Sequence, residues 1–324
     1  MANDPGLAGD TCIFMEAIPG DGGLQNPADV WWLSPDITLT GRTSGLENAD
    51  AGPNRILVRF HRKPAGSCNF PGDESITVEA WVANPSLMMA PHFHGSAVRV
   101  GFIGSSLPAE GGSHTQQIDW TPPPGELPSA LGVDNPQKPG PKCLVAICYP
   151  NSLTPSPTSF FVPGDQHIAQ HNLAVLSTTD AKVTFKINTF NPSLSANLLL
   201  PAIKLRAVMD LAPGVFVKKT VLTRLNPLAG FQQLRTEPLP LGFGFDLTGL
   251  QATQVVDNSH PPIAGIPPHI PSFQALVQMP ATLTQISFGV NLKEVPPGEA
   301  CIFHLTQTFK DLPQGGLTLV VLKR

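Results

Sequence analysis

A series of strand-like segments that closes the first half of the chain recurs at its end. Each copy contains an alternating run, a Pro-Pro-Gly-Glu corner and two apolar runs, the first of them led by Cys. In the first copy these lie at residues 114–120, 123–126, 143–148 and 172–176. In the second copy they lie at residues 285–292, 296–299, 301–306 and 317–322. The same order of strand, turn, strand and strand thus occurs twice. This repeat predicts two tandem β-domains.

The length and composition agree with two β-sandwich domains. The chain has 324 residues, and its 36 Pro and 29 Gly lie between short alternating runs, where they indicate turns. We therefore predict an all-β protein with long Pro/Gly-rich loops. Its predicted parts are an N-terminal arm at 1–28, a first sandwich at 29–178 and a second sandwich at 179–324.

Alternating apolar residues locate the individual strands. In the first half they predict strands at 55–61, 76–82 and 97–103, and in the second half at 182–188, 203–209 and 215–222. The Pro/His-rich segment 257–272 cannot sustain a ladder because Pro lacks the backbone donor, so it is interpreted as a surface loop. A helix of one or two turns is expected only at 225–234.

The first half resembles a known family of modules. The segments that carry the resemblance are Asp29-Val-Trp, Arg55-Ile-Leu-Val-Arg-Phe, Ile76-Thr-Val-Glu-Ala-Trp-Val, Ile118-Asp-Trp-Thr-Pro-Pro, Lys142-Cys-Leu-Val-Ala and Asp165-Gln-His-Ile-Ala-Gln-His-Asn-Leu-Ala-Val. Over about residues 29–177, the chain is similar to the CARDB-like, immunoglobulin-like sandwich modules of bacterial secreted and surface proteins. The second half shares only the general layout. The resemblance implies an immunoglobulin-like fold, an adhesive or spacer role, and neither catalytic residues nor a cofactor.

Charge and hydropathy restrict the classes of partner that we expect the chain to bind. Only 14% of the residues are charged, the net charge is −4, and Lys and Arg are scattered, so nucleic-acid binding is not expected. No apolar run approaches the roughly 20 residues of a membrane span. The first residues lack the features of a signal peptide. A location outside the cell or within a large assembly is nevertheless the expectation, because the resemblance and the sparse charge favour it.

The five cysteines are interpreted mainly as small buried hydrophobes. Cys143 and Cys148 share one apolar run and, five residues apart in a strand, face opposite sides. A bridge between Cys12 and Cys68 is left open. A structural zinc site is not expected, since the chain has no Cys-x-x-Cys pair.

Four histidines are candidate metal ligands. His92 and His94 would point the same way from a strand, and His167 and His171 follow a Pro-Gly pair, so a cupin-like metal-dependent enzyme is one alternative hypothesis. The favoured interpretation places the first two in a surface loop and leaves the second two as exposed polar residues. Accordingly, no metal site is predicted.

The adjacent Trp31 and Trp32 are candidate partner-binding residues. In a strand, one of them would face the core and the other would face outward, unless the N-terminal arm covers it. A second alternative is a carbohydrate-binding module that uses Trp31, Trp32, Trp81 or Trp120. The sequence has no nucleophile elbow and no phosphate-binding loop. We therefore predict a non-enzymatic protein for assembly or surface adhesion, with self-association or protein partners favoured by the sparse charge.

Overall fold

The computed structural model describes residues 4–23, 30–41, 48–70, 72, 75–89, 96–123, 137–155, 160, 162–191, 202–239, 242–257, 272–280 and 282–324, with only the backbone at 254–257. These residues form seventeen strands, a short 3-10 helix at Val162–Gly164 and the helix α1 at Val215–Leu225. The strands are β1 Ile13–Phe14, β2 Ile37–Gly41, β3 Asn54–Arg62, β4 Ser75–Ala83, β5 Val98–Ser106, β6 Ser113–Trp120, β7 Cys143–Pro150, β8 Ile168–Thr178, β9 Lys182–Thr189, β10 Ile203–Asp210, β11 Gln233–Leu234, β12 Phe243–Asp246, β13 Gln251–Asp257, β14 Ser272–Gln278, β15 Thr284–Asn291, β16 Glu299–Phe309 and β17 Leu312–Lys323. The predicted all-β class is confirmed.

The described residues fall into two compact units. One is built from residues up to Asn172, except Pro85–Met88, which belong with Leu173–Arg324 to the other. The division therefore lies inside β8, six residues before the predicted boundary at 178. The N-terminal residues, predicted as an arm, are part of the first unit, where β1 pairs with β3.

Two sheets make up the first unit. In the smaller sheet β3 pairs with β1, β2 and β6, and in the larger sheet the order is β5-β4-β7-β8. Alternate residues of β3 and β4 point into a shared core, where Ile56, Val58 and Phe60 join Ile76 and Val78. This alternation confirms the predicted strands and their inward faces.

The strand β7 differs from its neighbours because both of its faces are buried. All eight of its residues are buried. Cys148 lies in the core shared by the two sheets, whereas the residues of β4 that face away from that core include Trp81, whose ring packs edge-on against Phe160 at 5.4 Å. Burial on both sides explains why this segment is a continuous apolar run and does not alternate.

The second unit repeats the strand order of the first. Its larger sheet contains β14-β10-β16-β17 in the positions of β5-β4-β7-β8, and its smaller sheet pairs β9 with β15 as β3 pairs with β6. In both units the chain crosses from the smaller to the larger sheet, at β6 to β7 and at β15 to β16. The recurring sequence pattern therefore corresponds to equivalent strands.

The segment Pro85–Met88 extends the second unit through backbone hydrogen bonds. Leu87 donates to the carbonyl of Asn188 at 3.0 Å, and Asn188 donates to the carbonyl of Pro85 at 2.8 Å. Strand β17 passes so close to this segment that a Cβ atom added to Gly315 would lie 1.8 Å from the carbonyl oxygen of Leu87. Glycine is therefore required at position 315 by the space available.

One element was assigned to the wrong class from the sequence. Residues 215–222 were expected to form a strand, but Val215–Leu225 is an α-helix. Val217, Val221 and Leu225 are buried, at a spacing of four residues, which is the spacing of one helix face. The short helix expected at 225–234 is replaced by turns and the two-residue strand β11.

Candidate functional site

A disulfide fastens the N-terminal segment of the first unit. Cys12 and Cys68 are bonded, and the backbone nearby is tied by the amide of Thr11, which donates to the carbonyl of Asn69 at 2.9 Å. The bridge that the sequence left open is therefore present. The other three cysteines are buried, as expected, and none of them forms a disulfide. Burial raises the pKa of Cys148 and raises the pKa of Cys301 to about 12, so these two thiols are poor nucleophiles at neutral pH.

Buried carboxylates hold His167 on both sides. Its Nδ1 donates to Asp165 at 2.7 Å and its Nε2 donates to Asp10 at 3.2 Å, and the side chain is fully buried. Burial by itself lowers the pKa of His167, but the hydrogen bonds and charges of Asp10 and Asp165 outweigh it and raise the pKa to about 9. The imidazole is therefore a cation that joins the N-terminal segment to the start of β8.

The expectation that His167 and His171 are exposed is wrong. His171 is also buried, in β8, and its Nδ1 donates to the backbone carbonyl of Ser34 at 3.0 Å. Both imidazoles use their hydrogen bonds to connect separate segments of the first unit. His92 and His94, the other metal candidates, lie outside the described residues.

A second histidine cluster lies in the second unit and resembles a catalytic triad in its order of groups. The Nε2 of His304 donates to Asp210 at 2.9 Å, and its Nδ1 hydrogen-bonds to Thr318 at 3.0 Å. However, all three side chains are buried, so a substrate has no access to the hydroxyl. The arrangement therefore connects β10, β16 and β17.

Neither indole of Trp31 and Trp32 faces outward, which agrees with the interpretation that the second ring is covered. Trp31 is 1% exposed and Trp32 is 3% exposed, and their rings meet edge to face at 5.7 Å. Trp81 and Trp120 are buried as well. These four are all the tryptophans of the chain. Because each of them is buried, none offers a surface on which a sugar ring can stack. The carbohydrate-binding hypothesis, which depended on these residues, loses its support.

An exposed aromatic side chain lies on β5 beside a buried carboxylate. Glu79 of β4 accepts hydrogen bonds from Arg99 at 2.9 Å, from Tyr149 at 3.0 Å and from Trp81 at 3.0 Å. Burial, followed by the charge and hydrogen bond of Glu79, raises the pKa of Tyr149. The guanidinium of Arg99 also lies over the ring of Phe102, which is 67% exposed. Glu79 thus fixes Arg99, which in turn supports an outward-facing Phe102.

Strand β5 lies at the edge of its sheet, and side chains of β6 bond to its last two residues, Ser105 and Ser106. In the part of the chain that the structure describes, β5 pairs with β4 and ends the ladder. Arg99 is its only charged residue, and a Cβ atom added to Gly104 would have no atom within 4 Å. Natural edge strands are commonly blunted by several charges or by Pro, and β5 has a single charge and no Pro. The alternation at 97–103 predicted this strand, but no local pattern marks Phe102 as its exposed residue.

Comparison with known proteins does not place the chain in a family. No protein-family model and no curated protein match it. Among solved structures, the CupB6 tip adhesin of Pseudomonas aeruginosa is 11% identical, with 90% of this chain and 97% of that chain covered, at a TM-score of 0.17. A structure of manganese lipoxygenase of Gaeumannomyces graminis with part of zonadhesin of Komagataella pastoris is 10% identical. The match covers 88% of this chain and 92% of that chain, at a TM-score of 0.18. A mutant of the adhesin CfaE of enterotoxigenic E. coli is 9% identical. The match covers 98% of this chain and 94% of that chain, at a TM-score of 0.15. TM-scores this low carry no argument.

The described elements also bear on membrane insertion. Within those ranges, no helix combines the length and the apolar character needed to cross a bilayer.

Proposed function

We propose that this protein is a non-enzymatic assembly protein that joins its partners through the open edge of the first β-sandwich unit. The observation that carries the proposal is the edge strand β5, which exposes Phe102 and, in the described part of the chain, forms a hydrogen-bonded ladder with β4 alone. Strand addition at such an edge provides main-chain hydrogen bonds, and the side chains add specificity.

The disulfide supports an extracellular setting for this role. Disulfides form and persist in oxidising compartments and are rare in the cytosol. The Cys12–Cys68 bond connects positions 56 residues apart and fastens the segment that contains β1. A surface or secreted assembly protein needs this kind of reinforcement, because it cannot depend on a cellular folding environment once exported.

The partner that β5 fits best is a second copy of β5. Phe102 is the central residue of the nine-residue strand Val98–Ser106, so antiparallel pairing about that centre places the two Phe102 rings opposite each other. In the same register Arg99 lies opposite Ser105, which avoids two like charges facing each other. Cross-strand aromatic pairs stabilise such ladders by about 0.2–1 kcal/mol, and backbone pairing adds to this. An isologous contact of this kind closes as a dimer.

Sedimentation velocity of the full chain tests the proposal. The wild-type protein should self-associate as its concentration rises, and Phe102→Lys should raise the dissociation constant at least about tenfold, since full burial of a Phe side chain is worth about 1.5–3 kcal/mol. The matched control is Leu312→Lys, which changes another partly exposed apolar residue, in the second unit. A chain that stays monomeric throughout, or association that Phe102→Lys leaves unchanged, refutes the proposal.

A further inference from the structure

A mixed cluster of nitrogen and oxygen donors lies where three elements of the first unit meet. Glu16 follows β1, Asp36 precedes β2, and His61 is in β3. One carboxylate oxygen from each acid and a ring nitrogen of His61 all lie within 4.8 Å of one another. The three residues are far apart in sequence, so no motif revealed them, and the fold alone brings them together.

The ligand atoms of Asp36 and His61 lie close to the spacing of neighbouring metal ligands. The Nε2 atom of His61 lies 3.0 Å from Oδ2 of Asp36. Two ligands at the tetrahedral angle of a zinc ion, with bonds of about 2.1 Å, are separated by ~3.4 Å. A cation that replaces the proton on Nε2 therefore requires the two atoms to move apart by only about 0.4 Å.

The surroundings fix these donors in place. The ring of His61 is stacked on Phe14, with centroids 5.0 Å apart and an interplanar angle of 17°. The other oxygen of Asp36 accepts a hydrogen bond from Nε of Arg59 at 2.6 Å, so Arg59 orients the carboxylate with Oδ2 towards His61. The backbone amide of Glu16 also donates to Oδ2 at 2.7 Å, which holds this segment against Asp36. Hydrogen bonds of this type orient metal ligands in established sites.

The charge around the cluster also favours a cation. Glu16 and Asp36 lie side by side, Asp21 is close enough to Asp36 to feel its charge, and Arg59 forms an ion pair with Asp36. Burial raises the pKa of Asp21, its backbone hydrogen bonds oppose this, and the charge of Asp36 raises it further. His61 has a partly exposed side chain, which leaves a path for an ion to enter.

We propose that Glu16, Asp36 and His61 bind a divalent transition-metal ion of the zinc class, with water completing its coordination. An imidazole and two carboxylates are a donor set for such ions, and the imidazole distinguishes the site from one built for calcium or magnesium. The ion would link the N-terminal segment to β2 and β3, close to the disulfide. This role is separate from assembly through β5.

Titration calorimetry and equilibrium dialysis of the full chain with Zn²⁺ test this site. The wild-type protein should bind one ion, and Glu16→Gln and His61→Ala should each weaken binding at least about tenfold, since changes even to the residues behind metal ligands cost that much. Glu16→Gln is the preferred variant because Glu16 is only partly buried and lies outside the ion pair of Asp36 with Arg59. Circular dichroism checks that both variants fold.

Two nearby substitutions serve as controls. Glu110→Gln removes an acid at the surface, and His114→Gln removes an imidazole from β6, where it bonds to the carbonyl of Ser106. Both should leave Zn²⁺ binding unchanged. Zn²⁺ should also raise the melting temperature of the wild-type protein and of the controls but not of the two ligand variants. Absence of saturable binding, or Zn²⁺ binding that persists undiminished in Glu16→Gln and His61→Ala, overturns the proposal.

Discussion

Because His167 is buried as a cation between two carboxylates, the free energy of unfolding should fall as the pH becomes alkaline. The pKa of His167 is about 9 in the folded protein and 6.5 as its ordinary value, so the folded state holds this proton more tightly than the unfolded state. A group whose pKa is higher in the folded state than in the unfolded state contributes its full stabilisation of the fold below the unfolded-state pKa. That contribution is lost as the pH rises through the folded-state pKa. The difference of about 2.5 pH units corresponds to at most about 3 kcal/mol, at 1.36 kcal/mol per unit.

Urea unfolding at several pH values between 6 and 10 measures this contribution. The free energy of unfolding of the wild-type protein should exceed that of His167→Gln most at pH 6, and the difference should shrink by up to about 3 kcal/mol towards pH 10. His114→Gln, which changes a half-buried imidazole with no carboxylate bonded to it in the described residues, controls for general effects of losing a histidine. A difference between wild type and His167→Gln that stays constant from pH 6 to pH 10 would refute the assignment of a buried imidazolium.

Two further predictions concern the covalent and steric features of the fold. Reduction of the Cys12–Cys68 bond should lower the free energy of unfolding by about 4 kcal/mol, the value that loop entropy gives for a closed loop of this size, and urea unfolding with and without reductant would show no difference if the bond is absent. Gly315→Ala should cost about 1–3 kcal/mol because its new methyl group meets a backbone carbonyl, whereas Gly104→Ala, in open space, should leave the melting temperature nearly unchanged. Equal melting temperatures for the two alanine variants would contradict the close approach at position 315.

Local patterns were sufficient to predict most of the strands. The alternation in β4 placed Ile76 and Val78 on the core face, and both are buried there. Alternation and turn residues act over only a few positions. The two copies of the repeated pattern therefore form equivalent strands in the two units. The division inside β8 was missed, since that strand is continuous and pairs first with β7 and then with β17.

The remaining features depend on contacts between distant segments. His167 was expected to be exposed because its partner Asp10 lies 157 residues away and gives no local signal. The donor set of Glu16, Asp36 and His61 escaped notice for the same reason. The helix α1 was missed because its Val-rich segment has a high strand propensity, while the spacing of Val217, Val221 and Leu225 that identifies its buried face is equally compatible with alternation.

Amide hydrogen exchange of β5 as a function of protein concentration tests the central claim most directly. If two copies pair through this strand, the backbone amides of Val98–Ser106 that point away from β4 should exchange rapidly in dilute protein. The same amides should become protected as the concentration rises, and Phe102→Lys should abolish that protection. Equal exchange of β5 at every concentration, or protection that develops in another segment and leaves β5 unaffected, would contradict the account.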